Sequence, residues 1–269
     1  MRLLARVIIL LVRVCEKMAG SLFRVQQLLT GILPVLLPPH ELTRLIKNHY
    51  DNSYKDVTAR LPEAWYKWTL ESWEEDVLTR HKMTSGTILV LGAGVGRESI
   101  ALAQRGFVVV GLDINRESLC VASQQAMAKG LQPRFAQADF LAIPIGLARI
   151  DYVLMSGIMY SSIPGRERRQ AWLQSLRPCM SKQGLIVLNF LIARELETRT
   201  HRLIHRLNRR LTMLPGANQS YQLGDTFSQN HFLHAFTDVE EVRSELRDAG
   251  ATVDQLHWHE GYAVISWPS

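Results

Sequence analysis

Hydrophobic positions recur with a helical period through the first thirty residues of the chain. Leu4, Val7, Leu11, Val14, Met18, Leu22 and Val25 follow one another at intervals of three or four, the spacing that gathers side chains on one face of an α-helix. At about 100° per residue, Arg2, Arg6, Arg13, Lys17 and Arg24 fall in a sector of roughly 60° on the opposite face. Gly31 and the prolines at 34, 38 and 39 predict that this helix ends near Leu29 and that a hinge follows. Residues 41–83 then read as two or three short helices carrying Tyr50, Tyr54, Trp65, Tyr66, Trp68 and Trp73, with Glu71, Glu74, Glu75 and Asp76 among them.

From Thr87 the period changes. TILVLG is a short apolar run ending in glycine, the signature of a buried parallel strand. GRESIALAQRG follows as a helix, FVVVGLD as a second strand and 115–129 as a second helix. Strands are predicted at 134–137, 150–156 and 184–190, with a helix over 167–176. Alternating strands and helices mean a doubly wound α/β sheet. Thr237-Asp238-Val239-Glu240 is a capping box opening a helix that stops at Gly250. Two strands, 252–259 and 262–267, then flank Glu260-Gly261 as a hairpin, an ending that an ordinary dinucleotide-binding fold lacks. The organisation is thus a basic N-terminal helix with a Pro-rich hinge (1–40), a helical cap (41–83) and an α/β domain (84–269) with an insertion at 191–236.

Composition adds little until charge is located. The 269 residues are 47% hydrophobic and 21% charged, as in ordinary globular proteins, with a net charge of +6. Much of the excess lies in residues 1–40, where five basic residues face Glu16 alone. More lies in the insertion, where Arg199, Arg202, Arg206 and Arg209 stand at helical spacing. Cys15, Cys120 and Cys179 form no pair or Cys/His cluster, so no metal is expected and buried reduced thiols in the cytoplasm are the default. The apolar run Val7–Val12 is too short for a secretory signal, and no stretch reaches the ~20 apolar residues of a spanning helix.

The central motif is Gly92-Ala93-Gly94-Val95-Gly96 between the first strand and its helix. Glycines there let backbone N–H groups approach a ligand closely. A GxGxxG dinucleotide fingerprint would need glycine at 97, where Arg97 stands. Asp113 closes the second strand twenty-one residues after Gly92, where a carboxylate can accept both hydroxyls of a ribose.

With these residues the chain resembles the class I S-adenosylmethionine-dependent methyltransferase family over about residues 85–190, with further matches to 269. The resemblance implies a seven-stranded, mostly parallel sheet and S-adenosylmethionine as cofactor. It implies that Gly92, Gly94 and Gly96, with Ala93 among them, line the methionine and ribose end. Asp113 would bind the ribose and Ile114 pack on the adenine. Asp139-Phe140 would meet the adenine amino group, and Ser156 would border the sulfonium and the substrate. One departure is plain: the family often has an acid two residues before the first glycine, and here it is Val90.

Methyl transfer to a sulfonium-activated carbon needs alignment and, for poor nucleophiles, a base. Tyr160, His234 and His231 are the candidate bases, Tyr160 because it follows the fourth strand and the histidines because NHFLHAFT can fold over the sheet's mouth. After the fourth strand, SGIMYSS has neither the Asn/Asp-Pro-Pro-aromatic motif of adenine methylation nor a Pro-Cys nucleophile. It also lacks the acidic pair of an aminopropyl transferase. Nucleic acid is not expected, since the arginines lack interleaved aromatics. The expected partner is a small-molecule or lipid-linked acceptor, O- or N-methylated. Residues 1–29 would meet the inner face of a membrane, a partner protein or their own domain. The competing reading is a catalytically silent module, which predicts a ruined cofactor loop.

Overall fold

The computed structural model describes residues 2–53, 68–143, 149–193, 199–228 and 231–268. Tyr54, Trp65 and Tyr66 lie outside these residues. Among the described residues the chain opens with the helices α1 (Arg2–Leu36), α2 (Pro39–Ser53) and α3 (Ser72–Arg80). The predicted break at Gly31 does not occur. α1 continues through Gly31 and Pro34, and the chain turns at residues 37 and 38 instead.

Packing explains why these breakers are tolerated. At Gly31 a Cβ would lie 2.9 Å from Ile204 Cγ2, so the glycine permits close approach of another helix. The carbonyls of a helix's last turn have no intrahelical partner. Here Pro34 O accepts from Asn218 Nδ2 (2.8 Å) and Val35 O from Asn218 N (2.7 Å), while Asn208 Nδ2 donates to Gly31 O (2.8 Å).

The domain alternates β1 (Thr87–Leu91), α4 (Arg97–Gln104), β2 (Val108–Asp113), α5 (Arg116–Ala128), β3 (Arg134–Gln137), β4 (Ile150–Met155), α6 (Arg166–Leu176) and β5 (Met180–Asn189). Past these lie α7 (Arg199–Leu211), β6 (Asp225–Ser228), β7 (His231–His234), α8 (Val239–Asp248), β8 (Thr252–His257) and β9 (Tyr262–Ser266). The main sheet has seven strands in the order β3-β2-β1-β4-β5-β9-β8. β1–β5 pair in parallel, while β9 pairs antiparallel to both β5 and β8. The order reverses between β1 and β4, which opens a crevice at their carboxyl ends where α/β sheets take ligands. Ile88 to Leu91 are buried because both faces of the sheet are covered.

The insertion holds strands that its sequence did not announce. β6 and β7 form a separate antiparallel pair, with Phe227 opposite Phe232. Gly224, at φ +97°, closes it: a Cβ there would lie 2.1 Å from Ala235 O. α1 packs on β6 and α7, and α2 on β7, so the N-terminal helices and the insertion form one layer. Of the thiols, Cys179 is buried but Cys120 is exposed, contrary to the expectation for it.

Beneath this layer lies a buried ion pair. Arg169 and Glu245 are both 0% exposed and joined by two hydrogen bonds of 2.7 Å. Tyr160 Oη donates to Glu245 (2.7 Å), and Arg169 also reaches Ile163 O and Gln222 Oε1. Removing one partner of such a pair strands the other charge. Arg169→Met is therefore expected to cost about 3–5 kcal/mol in urea unfolding, and the double variant Arg169→Met/Glu245→Leu to recover most of that loss.

Candidate functional site

A cavity of about 300 Å³ sits at the carboxyl ends of β1, β2 and β4. Its floor is the glycine loop. Gly92, Gly94 and Gly96 have φ of +71°, +50° and +90°, a region L side chains rarely adopt. Their roles differ. At Gly92 a Cβ would lie 2.0 Å from Met159 Sδ, whereas at Gly94 only Gly92 O, at 3.9 Å, comes within 4 Å. Gly96 does not line the cavity. It precedes α4 and lets α5 approach, since its Cβ would meet Ala122 Cβ at 2.8 Å.

Asp113 ties this loop to the next. Its Oδ2 accepts Gly94 N–H and its Oδ1 accepts Asn115 N–H, each at 2.8 Å. Burial raises its pKa, and the backbone N–H bonds oppose that rise. An ionised carboxylate has about four lone-pair sites, so Asp113 retains acceptor capacity beyond its backbone N–H bonds. A carboxylate facing a cavity with capacity to spare suits a ribose hydroxyl. At the far end, Asp139 Oδ1 accepts Leu141 N–H (2.9 Å) while Lys47 Nζ pairs with Oδ2.

Ala93, Ile114, Phe140 and Ser156 also line the cavity, so of the residues named for the cofactor only Gly96 stands apart. Sequence reasoning expected a helical cap over 41–83 but did not single out the residues that reach the cavity. Thr43, Ile46, Lys47 and Tyr50 of α2 line it near Asp139, at the intervals of three and four that place them on one helix face. It also missed the acids at the other end. Ser156 Oγ donates to Glu98, and Arg97 is gripped by both oxygens of Glu74 at 2.8 Å. Glu74 is pushed up to about 7, because burial outweighs its bonds to Arg97.

The structure does not bring the candidate bases to the cavity. Tyr160 is 0% exposed and held by Glu245, and burial together with that negative charge drives its pKa up. Its neighbour Met159 takes the cavity face instead. His234 is buried with Nδ1 on Asp225 (2.7 Å) and Nε2 on Glu241 (3.1 Å). Burial and Arg169 lower its pKa, but the carboxylate bonds prevail and raise it. Both ring nitrogens are engaged by carboxylates, so the imidazole is held away from the cavity. His231 is buried and stacks on His49, ring centroids 4.4 Å apart. Among the described residues the cavity lining contains no histidine.

Residues 88–184 match a family model described as a methyltransferase domain. Among solved structures, an S-adenosylmethionine-dependent methyltransferase from Clostridium acetobutylicum is 11% identical with a TM-score of 0.55. The match covers 82% of this chain and 99% of that one. A Burkholderia thailandensis 1,6-didemethyltoxoflavin-N1-methyltransferase, bound to 1,6-didemethyltoxoflavin and S-adenosylhomocysteine, is 18% identical with a TM-score of 0.58. That match covers 86% of this chain and 89% of the other. At such identities the likeness is one of fold. No curated protein matches the sequence.

His234 makes stability depend on pH. The folded chain holds this proton more tightly than the unfolded one, whose histidine titrates near 6.5. Its contribution is complete below that value and is lost as pH rises through the raised folded value. The melting temperature is expected to decline from pH 6.5 upward, and His234→Gln to flatten that decline; thermal melts of both proteins across this range check it.

Proposed function

We propose that the chain is a class I S-adenosylmethionine-dependent methyltransferase, since residues 88–184 match a methyltransferase-domain model, and that it methylates a small, largely apolar acceptor. The observation that carries this reading is the Asp113 carboxylate facing the cavity beside a glycine loop whose backbone lines it. The intact loop also disfavours the silent-module reading, which expects it to be ruined. When bound, the cofactor supplies a methyl group on a positively charged sulfur, which an acceptor lone pair takes as the C–S electron pair returns to sulfur.

The chain's own residues do the rest. Asp113 fixes the ribose, Asp139 with Lys47 beside it marks the adenine end, and Ile114 and Phe140 offer apolar surface there. Ser156, Gly157 and Met159 border the place where acceptor and methyl group meet. Ile46, Tyr50 and Leu141 extend an apolar lining that suits a flat or alkyl acceptor and excludes water. With Tyr160 and His234 engaged elsewhere, the catalytic contribution assigned to this site is proximity and alignment. A ring nitrogen acceptor of the kind named for the Burkholderia enzyme fits this economy, because its lone pair needs little help from a base.

The finer reading places the acceptor at a membrane surface, as a lipid-linked molecule. Gly31 and Val35 of α1 face the body, while Met18, Leu22, Val25 and Leu29 are 53–68% exposed on another side. α7 adds exposed Leu203 and Leu207 with Arg206, Arg209 and Arg210. Apolar side chains beside arginines suit the interface of an anionic bilayer. Among the described residues no helix is long and apolar enough to cross one.

Two measurements test these readings. Calorimetry should show S-adenosylmethionine binding to the wild type and a loss of about 10–100-fold in Asp113→Ala, the equivalent of one or two hydrogen bonds to a charged group. No binding to the wild type, or undiminished binding to the variant, sinks the cofactor assignment. Sedimentation with phosphatidylglycerol vesicles should depend on residues 1–29; a truncated chain that pellets equally well refutes the membrane reading.

A further inference from the structure

Where the family often carries an acid, two residues before the first glycine, Val90 is 0% exposed and packed in the apolar core with Leu102 and Val187. The end of the cavity beyond Ser156 is nonetheless acidic. Glu71 and Glu98 line it and Glu74 stands behind them, with Arg97 as the cation among them. Arg97 is heavily engaged: Nη1 donates to Thr69 O (3.0 Å) and Glu74 (2.8 Å), Nη2 to Glu74 (2.8 Å) and Glu98 (2.6 Å). Lys47, the other lining cation, is paired with Asp139 at the opposite end. Three carboxyl groups around one guanidinium leave this end short of positive charge.

Glu98 is the acid placed to use that shortage. It is 8% exposed and lies in the first turn of α4, directly after the glycine loop. Its Oε1 accepts from both Ser156 Oγ and Arg97 Nη2, while among the described residues its Oε2 accepts no hydrogen bond. With Glu98 lining the cavity, that oxygen keeps its lone pairs for a donor that a ligand there would supply. Glu71 is a poorer candidate, since its side chain is 61% exposed and accepts from Trp73 Nε1 (2.7 Å).

We propose that Glu98 receives the α-ammonium of the cofactor's amino-acid end, replacing an acid absent at position 90, and that Ser156 and Arg97 position it. This inference rests on the S-adenosylmethionine reading above. The charge on Glu98 then selects ligands with an amine-bearing tail over those with the same nucleoside and no amine, since a charge-assisted hydrogen bond is stronger than a neutral one.

The test is calorimetry on the full chain with three probes: S-adenosylhomocysteine, decarboxylated S-adenosylmethionine and 5′-methylthioadenosine. The first two carry the amine and the third does not. Glu98→Gln keeps an oxygen for Ser156 and Arg97 but loses the charge. It is expected to weaken both amine-bearing probes at least tenfold and to leave methylthioadenosine within twofold. Unchanged affinity for the amine-bearing probes, or an equal loss for all three, overturns the proposal while leaving the cofactor reading intact. A wild type that binds none of the three overturns both. Should the glutamine variant fail to fold, Glu98→Asp is read instead: its shortened carboxylate is expected to narrow the preference for amine-bearing probes at least threefold, and an unaltered preference overturns the proposal.

Discussion

The carboxylate of Asp113 holds one backbone N–H from each of two neighbouring loops, Gly94 from the turn after β1 and Asn115 from the turn after β2. Both strands end at the crevice where the sheet takes its cavity. The loop after β1 is anchored on its other side by Gly92 N and Ala93 N, which both donate to Leu112 O. A single turn is therefore fixed from two directions by residues of β2. Its glycines can then keep positive φ without being free to move, and the cavity floor is formed before any ligand arrives. Preorganisation of this kind reduces what binding must spend on ordering.

The parallel part of this architecture was legible because each strand is a short apolar run, buried on both faces, and because glycine and aspartate mark strand ends. Asp113 could be placed from that frame, while Asp139 and Ser156 were placed by the family resemblance. What escaped had a common cause: the deciding partner is far away in sequence. Gly31 and Pro34 read as a break, since nothing local reveals Ile204 or the Asn208 and Asn218 amides waiting for their carbonyls. Arg169 sits in RERRQ, which reads as a solvated stripe until Glu245 is seen opposite it. Tyr160 and Met159 are adjacent, and one residue of phase in a tight turn decides which faces the cavity.

The same cause hid which residues of the cap reach the cavity. Lys47 belongs to a helix with no sequence mark of a binding element, yet it lies against Asp139 ninety-two positions away. α2 is held there from behind by β7, where His49 stacks on His231. The insertion thus serves the site indirectly. Among the described residues it carries no group into the cavity, but it packs against the helix that does.

The carbonyls of α1 give that arrangement its cohesion. Gly31 O, Pro34 O and Val35 O are the acceptors for Asn208 and Asn218, and Asn208 and Asn218 are buried. A chain that lost this stretch of helix would leave those amides in a dry interior without partners, and one that lost the insertion would bare the helix's last turn. Neither piece can be discarded alone at small cost. The N-terminal helix and the insertion, joined by hydrogen bonds across 177 and 184 positions of the chain, therefore act as one structural unit.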